Sequence, residues 1–182
     1  MLTKINQMKT FKLVLLIAIV LTSCNEPKKI TEVEKTAIKS KVDSLLTKWH
    51  QAAAAADFDV YFRDVDIVSV IVGTDASEYW TKKEFEEFCK PNFEDGKGWD
   101  FKTLKRNIFV SRTADFVWFD ELLDTWMGPC RGSGVLEKTA NEWRIKQYIF
   151  SVTVPNEDIH DVIHIKSEND PIFLHNFKSE SK

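Results

Sequence analysis

Between Trp99 and Val154 the chain carries four runs of aromatic and β-branched residues: Trp99 to Ser111, Asp115 to Met127, Arg131 to Lys138 and Trp143 to Val154. They are separated by turn-forming stretches such as Arg112-Thr113-Ala114-Asp115 and Thr139-Ala140-Asn141-Glu142. Connections this short force the runs to be adjacent antiparallel strands. The C-terminal half is therefore a meander, and helices belong to what precedes it.

From Thr31 to Ala56 the apolar residues Ile38, Val42, Leu45, Trp49, Ala52, Ala53 and Ala56 recur at steps of three and four, the mark of one long amphipathic helix. The run Ala52 to Ala56 combines helix propensity with small side chains, so something can pack very close to that end. Asp57 breaks the pattern. Asp59 to Asp66 reads as a short turn or helix anchored by Tyr61 and Phe62, and Ile67 to Val72 as a strand stopped by Gly73. Thr81 followed by Glu84 is a capping-box signature, which predicts a second helix from about Lys82 to Lys90, ending before Pro91. After Pro155, a brief helix carries Ile159, Val162 and Ile163, and the polar stretch from Ser167 reads as a loosely docked tail. Helices first and a meander after them make the α+β plan, with the helices packed on one face of a curved sheet.

The N-terminus supplies an address. Lys4, Lys9 and Lys12 precede the apolar run Leu13 to Leu21 and then Leu21-Thr22-Ser23-Cys24. This reads as a secretion signal over residues 1–23, starting at Met1 or at Met8. The apolar run is about half the ~20 residues needed to span a bilayer. Leu-Thr-Ser-Cys resembles a lipobox, which implies lipidation of Cys24, a tether over 24–30, a domain over 31–155 and a C-terminal short helix and tail over 156–182. The expected location is the bacterial cell envelope, lipid-anchored, at the outer membrane. Loss of residues 1–23 takes the formal charge from −3 to −6. Phosphates repel such a domain, so nucleic acid is not an expected partner. Cys89 and Cys130 are the other two cysteines; in an oxidising compartment they form either a disulfide or two buried thiols.

The layout of a long helix, a Gly-Thr-Asp after the first strand, a short helix and four long strands resembles the nuclear transport factor 2-like superfamily, and more closely its SnoaL-like branch. The residues that carry the resemblance are Val72-Gly73-Thr74-Asp75-Ala76-Ser77-Glu78-Tyr79-Trp80, Val117-Trp118-Phe119-Asp120-Glu121, Arg131-Gly132-Ser133-Gly134-Val135-Leu136 and Trp143-Arg144-Ile145. It implies a cone: a strongly curved antiparallel sheet wrapping the long N-terminal helix, with a cavity at the open end. It also implies homodimers paired through the outer sheet face. Isomerases, dehydratases, polyketide cyclases and non-catalytic binding modules all use that cavity, so the fold leaves the function open.

Strand alternation sets Phe116, Trp118, Asp120, Leu122, Asp124 and Trp126 on one face of their strand and Val117, Phe119, Glu121, Leu123 and Thr125 on the other. Asp120, between aromatic neighbours, is the expected general base if the protein is a cofactor-free isomerase, dehydratase or cyclase, as in ketosteroid-isomerase-like relatives. An apolar setting raises a carboxyl pKa toward the range useful for proton transfer. The structural account of Asp120 is an ion pair with Arg131 or Arg144, and Glu121 takes its place if the faces are reversed. Tyr61, Trp80, Trp99, Trp118 and Trp126 are candidate aromatic walls of a small-molecule pocket, and Arg131 a candidate clamp for a ligand carboxylate. Gly132 and Gly134 read as bend points. Among the four histidines, His160 and His164 form an i, i+4 pair without the metalloprotease glutamate, and His50 and His175 are not placed like the histidine of a dehydratase dyad. No metal and no cofactor are expected. The preferred reading is a binding module for a small, partly apolar ligand; a structural dimer with its cavity filled by its own side chains is the other alternative.

Overall fold

The computed structural model describes residues 30–180 of the 182-residue chain. The signal segment and Cys24 lie outside the described residues. Helix α1 (Glu32–Ala54) opens on a capping box in which Thr31 and Glu34 bond reciprocally. One face buries Val42, Leu46, Trp49, His50, Ala52 and Ala53. Asp57 ends the helical pattern by capping α2 (Phe58–Arg63), whose Tyr61 and Phe62 enter the core. Strand β1 (Val65–Val72), the short β2 (Tyr79–Thr81) and α3 (Lys82–Glu94) follow, α3 starting on the Thr81 and Glu84 capping box. The meander is β3 (Lys102–Val110), β4 (Phe116–Thr125), β5 (Gly128–Thr139) and β6 (Glu142–Val152).

The sheet order is β2-β1-β6-β5-β4-β3. Neighbours are antiparallel except β1 and β6, which run parallel with Val72 opposite Ile149. The meander curves round α1, giving the α+β cone. Its wall is pinned where the chain before β3 crosses the end of α1: a Cβ at Gly98 would lie 1.9 Å from the Ala53 carbonyl oxygen. The small residues at the end of α1 thus receive a backbone that carries no side chain there.

Two local expectations are corrected. Helix α3 does not stop before Pro91 but runs on to Glu94, because Phe93 is buried against Tyr61 and Trp99, with ring centroids 5.5 and 5.2 Å apart. That packing offsets the backbone hydrogen bond the proline removes. The stretch from Ser167, expected as a loosely docked tail, is helical: after a single 3₁₀ turn come the expected brief helix, α4 (Ile159–Lys166), and then α5 (Asn169–Glu180). Pro171 sits in the first turn of α5, where a missing N–H costs nothing. None of residues 156–179 is buried. Among the described residues no helix is long and apolar enough to cross a membrane.

Candidate functional site

Strand β4 buries Val117, Phe119, Glu121 and Leu123 and turns Phe116, Trp118 and Asp124 outward. The expectation that Asp120 faces the cavity is therefore overturned. Asp120 lies on the convex face and accepts a hydrogen bond from Asn107 Nδ2 at 2.8 Å, with neither Arg131 nor Arg144 as its partner. Both faces of this strand carry aromatic residues and one carries two acids, so alternation alone did not choose between them. The inward glycines do. Gly132 pairs with Glu121 and Gly134 with Phe119 across the β4–β5 ladder. A Cβ at Gly132 would meet the Tyr148 hydroxyl at 2.4 Å, and one at Gly134 would meet the Phe119 ring at 2.8 Å. These glycines make room for large inward side chains on neighbouring strands.

Glu121 is fully buried and both its oxygens are engaged. Oε1 accepts from His50 Nε2 at 2.8 Å and from the Tyr148 hydroxyl at 3.0 Å, and Oε2 accepts from Arg106 Nε at 2.8 Å. Burial pushes this carboxyl up, but the hydrogen bonds and charges of His50 and Arg106 outweigh it and hold it below its ordinary 4.5. Arg106, with a side chain only 3% exposed, also donates to the Asp43 carboxylate at 2.8 Å, to Thr47 Oγ1 at 3.2 Å and to Thr103 Oγ1 at 3.0 Å. One guanidinium thereby ties β3 to both α1 and β4. His50 belongs to the buried stripe of α1, one turn after Leu46, a position readable from the helical period. Its bond to Glu121 puts one of the four histidines inside the cone.

A cavity of about 200 Å³ opens between the sheet, α2 and α3. Tyr61, Trp80 and Trp99 stand in its wall, Trp126 at its mouth is 82% exposed, and Tyr148 and Phe101 complete its inner side. Trp118 and Arg131, expected there, point out from the convex face: Trp118 stacks on Phe109 at 5.6 Å, and Arg131 is exposed on β5. Burial and the charge of Glu121 push the Tyr148 hydroxyl up, so it keeps its proton and donates it to Glu121. Cys89 and Cys130 are separate, buried free thiols, and burial together with Glu86 pushes Cys89 up to about 12. His160 and His164 are exposed on α4, and no group of three or more metal-ligating side chains occurs among the described residues.

The model of the SnoaL-like domain family matches residues 42–155. No curated protein matches the chain. Among solved structures, a domain of unknown function with a cystatin-like fold from Nostoc punctiforme PCC 73102 is similar at 11% identity and a TM-score of 0.59, covering 80% of this chain and 96% of that one. A nuclear transport factor 2-like protein of unknown function from Pseudomonas putida KT2440 shares 14% identity at a TM-score of 0.57, covering 67% and 91%. A candidate dehydratase of the nuclear transport factor 2-like family from Streptomyces avermitilis is similar at 11% identity and 0.57, covering 66% and 99%. These likenesses share the cone. With a family match that begins in α1 and ends after β6, the protein belongs to the SnoaL-like domain family of the nuclear transport factor 2-like superfamily.

Proposed function

We propose that the protein is a binding module of the bacterial envelope, held at the outer membrane through a lipidated Cys24 and paired as a homodimer, whose cone cavity takes a small, largely apolar molecule without transforming it. The observation that carries this reading is the pairing of an open aromatic cavity with a buried carboxylate whose two oxygens are already occupied. A dry apolar space of about 150 Å³ holds a benzene-sized guest. A cavity of about 200 Å³ suits a one-ring or fused two-ring compound or a short branched aliphatic one. Aromatic walls with few polar groups supply the burial and one or two orienting hydrogen bonds.

The test is titration with indole, followed by protein NMR and by thermal unfolding. Binding in the cavity raises Tm as ligand concentration passes Kd. Trp99→Ala, which removes one wall, weakens indole binding about tenfold, the loss of roughly 1.4 kcal/mol. If indole and similar one- and two-ring probes leave the cavity resonances unmoved, the binding reading is wrong.

A second reading, a cofactor-free isomerase or dehydratase, has one observation in its favour: Tyr148 brings a carboxylate-backed hydroxyl to the cavity wall. It requires turnover of hydroxy-ketone or enone substrates that Tyr148→Phe abolishes. Absence of turnover leaves the binding module.

A further inference from the structure

Nine of the fifteen residues lining the aromatic cavity carry rings, Glu78 is the one carboxylic acid there, and no Lys, Arg or His joins them among the described residues. Where Glu78 points follows from the hairpin that carries it. Ile71 of β1 stands opposite Trp80 of β2, and both line the cavity. Two residues further along, Gly73 donates its N–H to the Glu78 carbonyl at 3.0 Å. Side chains two apart on a strand share a face, so positions 73 and 78 face the same way as Ile71 and Trp80. A Cβ on Gly73 would collide with the Glu78 carboxylate. The glycine leaves a gap on the cavity side, and the Glu78 side chain lies in it.

That carboxylate is held but not neutralised. Oε2 accepts from the Asp75 N–H at 3.0 Å, and Oε1 has no hydrogen-bond or ion-pair partner among the described residues. The other acid of the loop, Asp75, is engaged by the Ser77 N–H at 2.8 Å. A cation that reaches this loop, Lys166 of α4, acts on Asp75 and pairs with Asp170 at 3.3 Å. Trp126 stands at the tip of the β4–β5 hairpin, in a turn that Thr125 fixes: its Oγ1 accepts from the Met127 N–H at 3.0 Å and donates to the Gly128 carbonyl at 2.9 Å. The turn holds a large ring in solvent at the cavity mouth. Aromatic faces carry the negative lobe of the ring quadrupole and attract cations. A carboxylate beside them attracts the same ligands and repels anions.

Resting on the binding reading above, we propose that the ligand of the aromatic cavity is a small amine in its ammonium form: its apolar part enters among the rings, and its N–H group donates to Glu78 Oε1. This gives the ligand the opposite charge to the carboxylate that Arg131 was expected to clamp. The cavity volume of about 200 Å³ limits the apolar part to one or two rings or a short branched chain. The whole chain, with a formal charge of −3, favours the approach of cations.

The probes are three one-ring compounds of similar size and different charge: benzylamine, which is an ammonium ion at neutral pH, benzyl alcohol and sodium benzoate. Calorimetry and the indole N–H NMR signals of Trp99 and Trp126 follow each titration at constant ionic strength. Benzylamine binds at least tenfold more tightly than benzyl alcohol, benzoate binds more weakly than either, and indole displaces benzylamine. The preference for the cation shrinks as sodium chloride rises from about 0.02 to 0.5 M, because salt screens a half-exposed charge. Glu78→Gln keeps an acceptor for the Asp75 N–H and removes the charge, so benzylamine falls to within about twofold of benzyl alcohol while the alcohol binds as before. Equal affinity for amine and alcohol, benzoate bound as tightly as the amine, a preference that survives Glu78→Gln, or amine that indole does not displace each overturns the proposal. If benzyl alcohol and indole bind but the amine gains nothing, the binding module stands without its cation; if none of the probes binds, both fall. Where Glu78→Gln does not fold, the ranking of the three probes and its salt dependence in the unaltered protein decide.

Discussion

At the scale of single residues, Glu121 decides most of what the interior can do. It is a buried charge made tolerable by three donors on three different elements, α1, β3 and β6. Taking away one member of such a cluster leaves the others uncompensated and costs about 3–5 kcal/mol. Glu121→Gln should therefore lower the unfolding free energy by about 3 kcal/mol or more in urea titrations near neutral pH. Its folded-state pKa lies below the ordinary 4.5, so its contribution is complete above that value and is lost as pH falls through the folded value. An acid titration of stability should show a drop below about pH 4.5 that is shallower in Glu121→Gln. The sequence made this cluster only half legible. A choice between Asp120 and Glu121 follows from strand alternation, but the face does not, because Phe116 and Trp118 are as apolar as Val117 and Phe119. His50 lay within reach of the helical period, one turn past Leu46. Its bond to a residue 71 positions away did not.

At the scale of elements, the chain speaks most clearly where periodicity and capping coincide. The long α1, the Thr81 and Glu84 start of α3 and the four meander strands were all readable, with boundaries off by a few residues. What escaped was set by contacts distant in sequence. Three-residue β2 exists because it pairs with Val70, Ile71 and Val72 of β1, and α3 outlasts Pro91 because Phe93 has a place in the core. The junction of α1 with the meander depends on Gly98. Any side chain there must displace the Ala53 carbonyl, so Gly98→Ala should cost about 1–3 kcal/mol, measured by chemical denaturation. An unchanged midpoint would mean that the end of α1 yields easily.

At the scale of the whole molecule, the convex face carries Phe109, Phe116 and Trp118, each between 41% and 44% exposed, with Phe109 and Trp118 stacked on one another. Large apolar patches on a convex sheet mark an association surface. If the proposed homodimer forms there, Trp118→Arg should turn a dimer into a monomer in sedimentation velocity while leaving the far-UV circular dichroism intact. A dimer that survives that change uses another face. The cone itself was legible through a resemblance, since no local rule dictates that β1 joins the meander beside β6. That pairing is parallel, so both strands finish at the same end, where Val72 and Phe150 border the cavity. The polypeptide accordingly departs from the domain at the doorway of its own chamber.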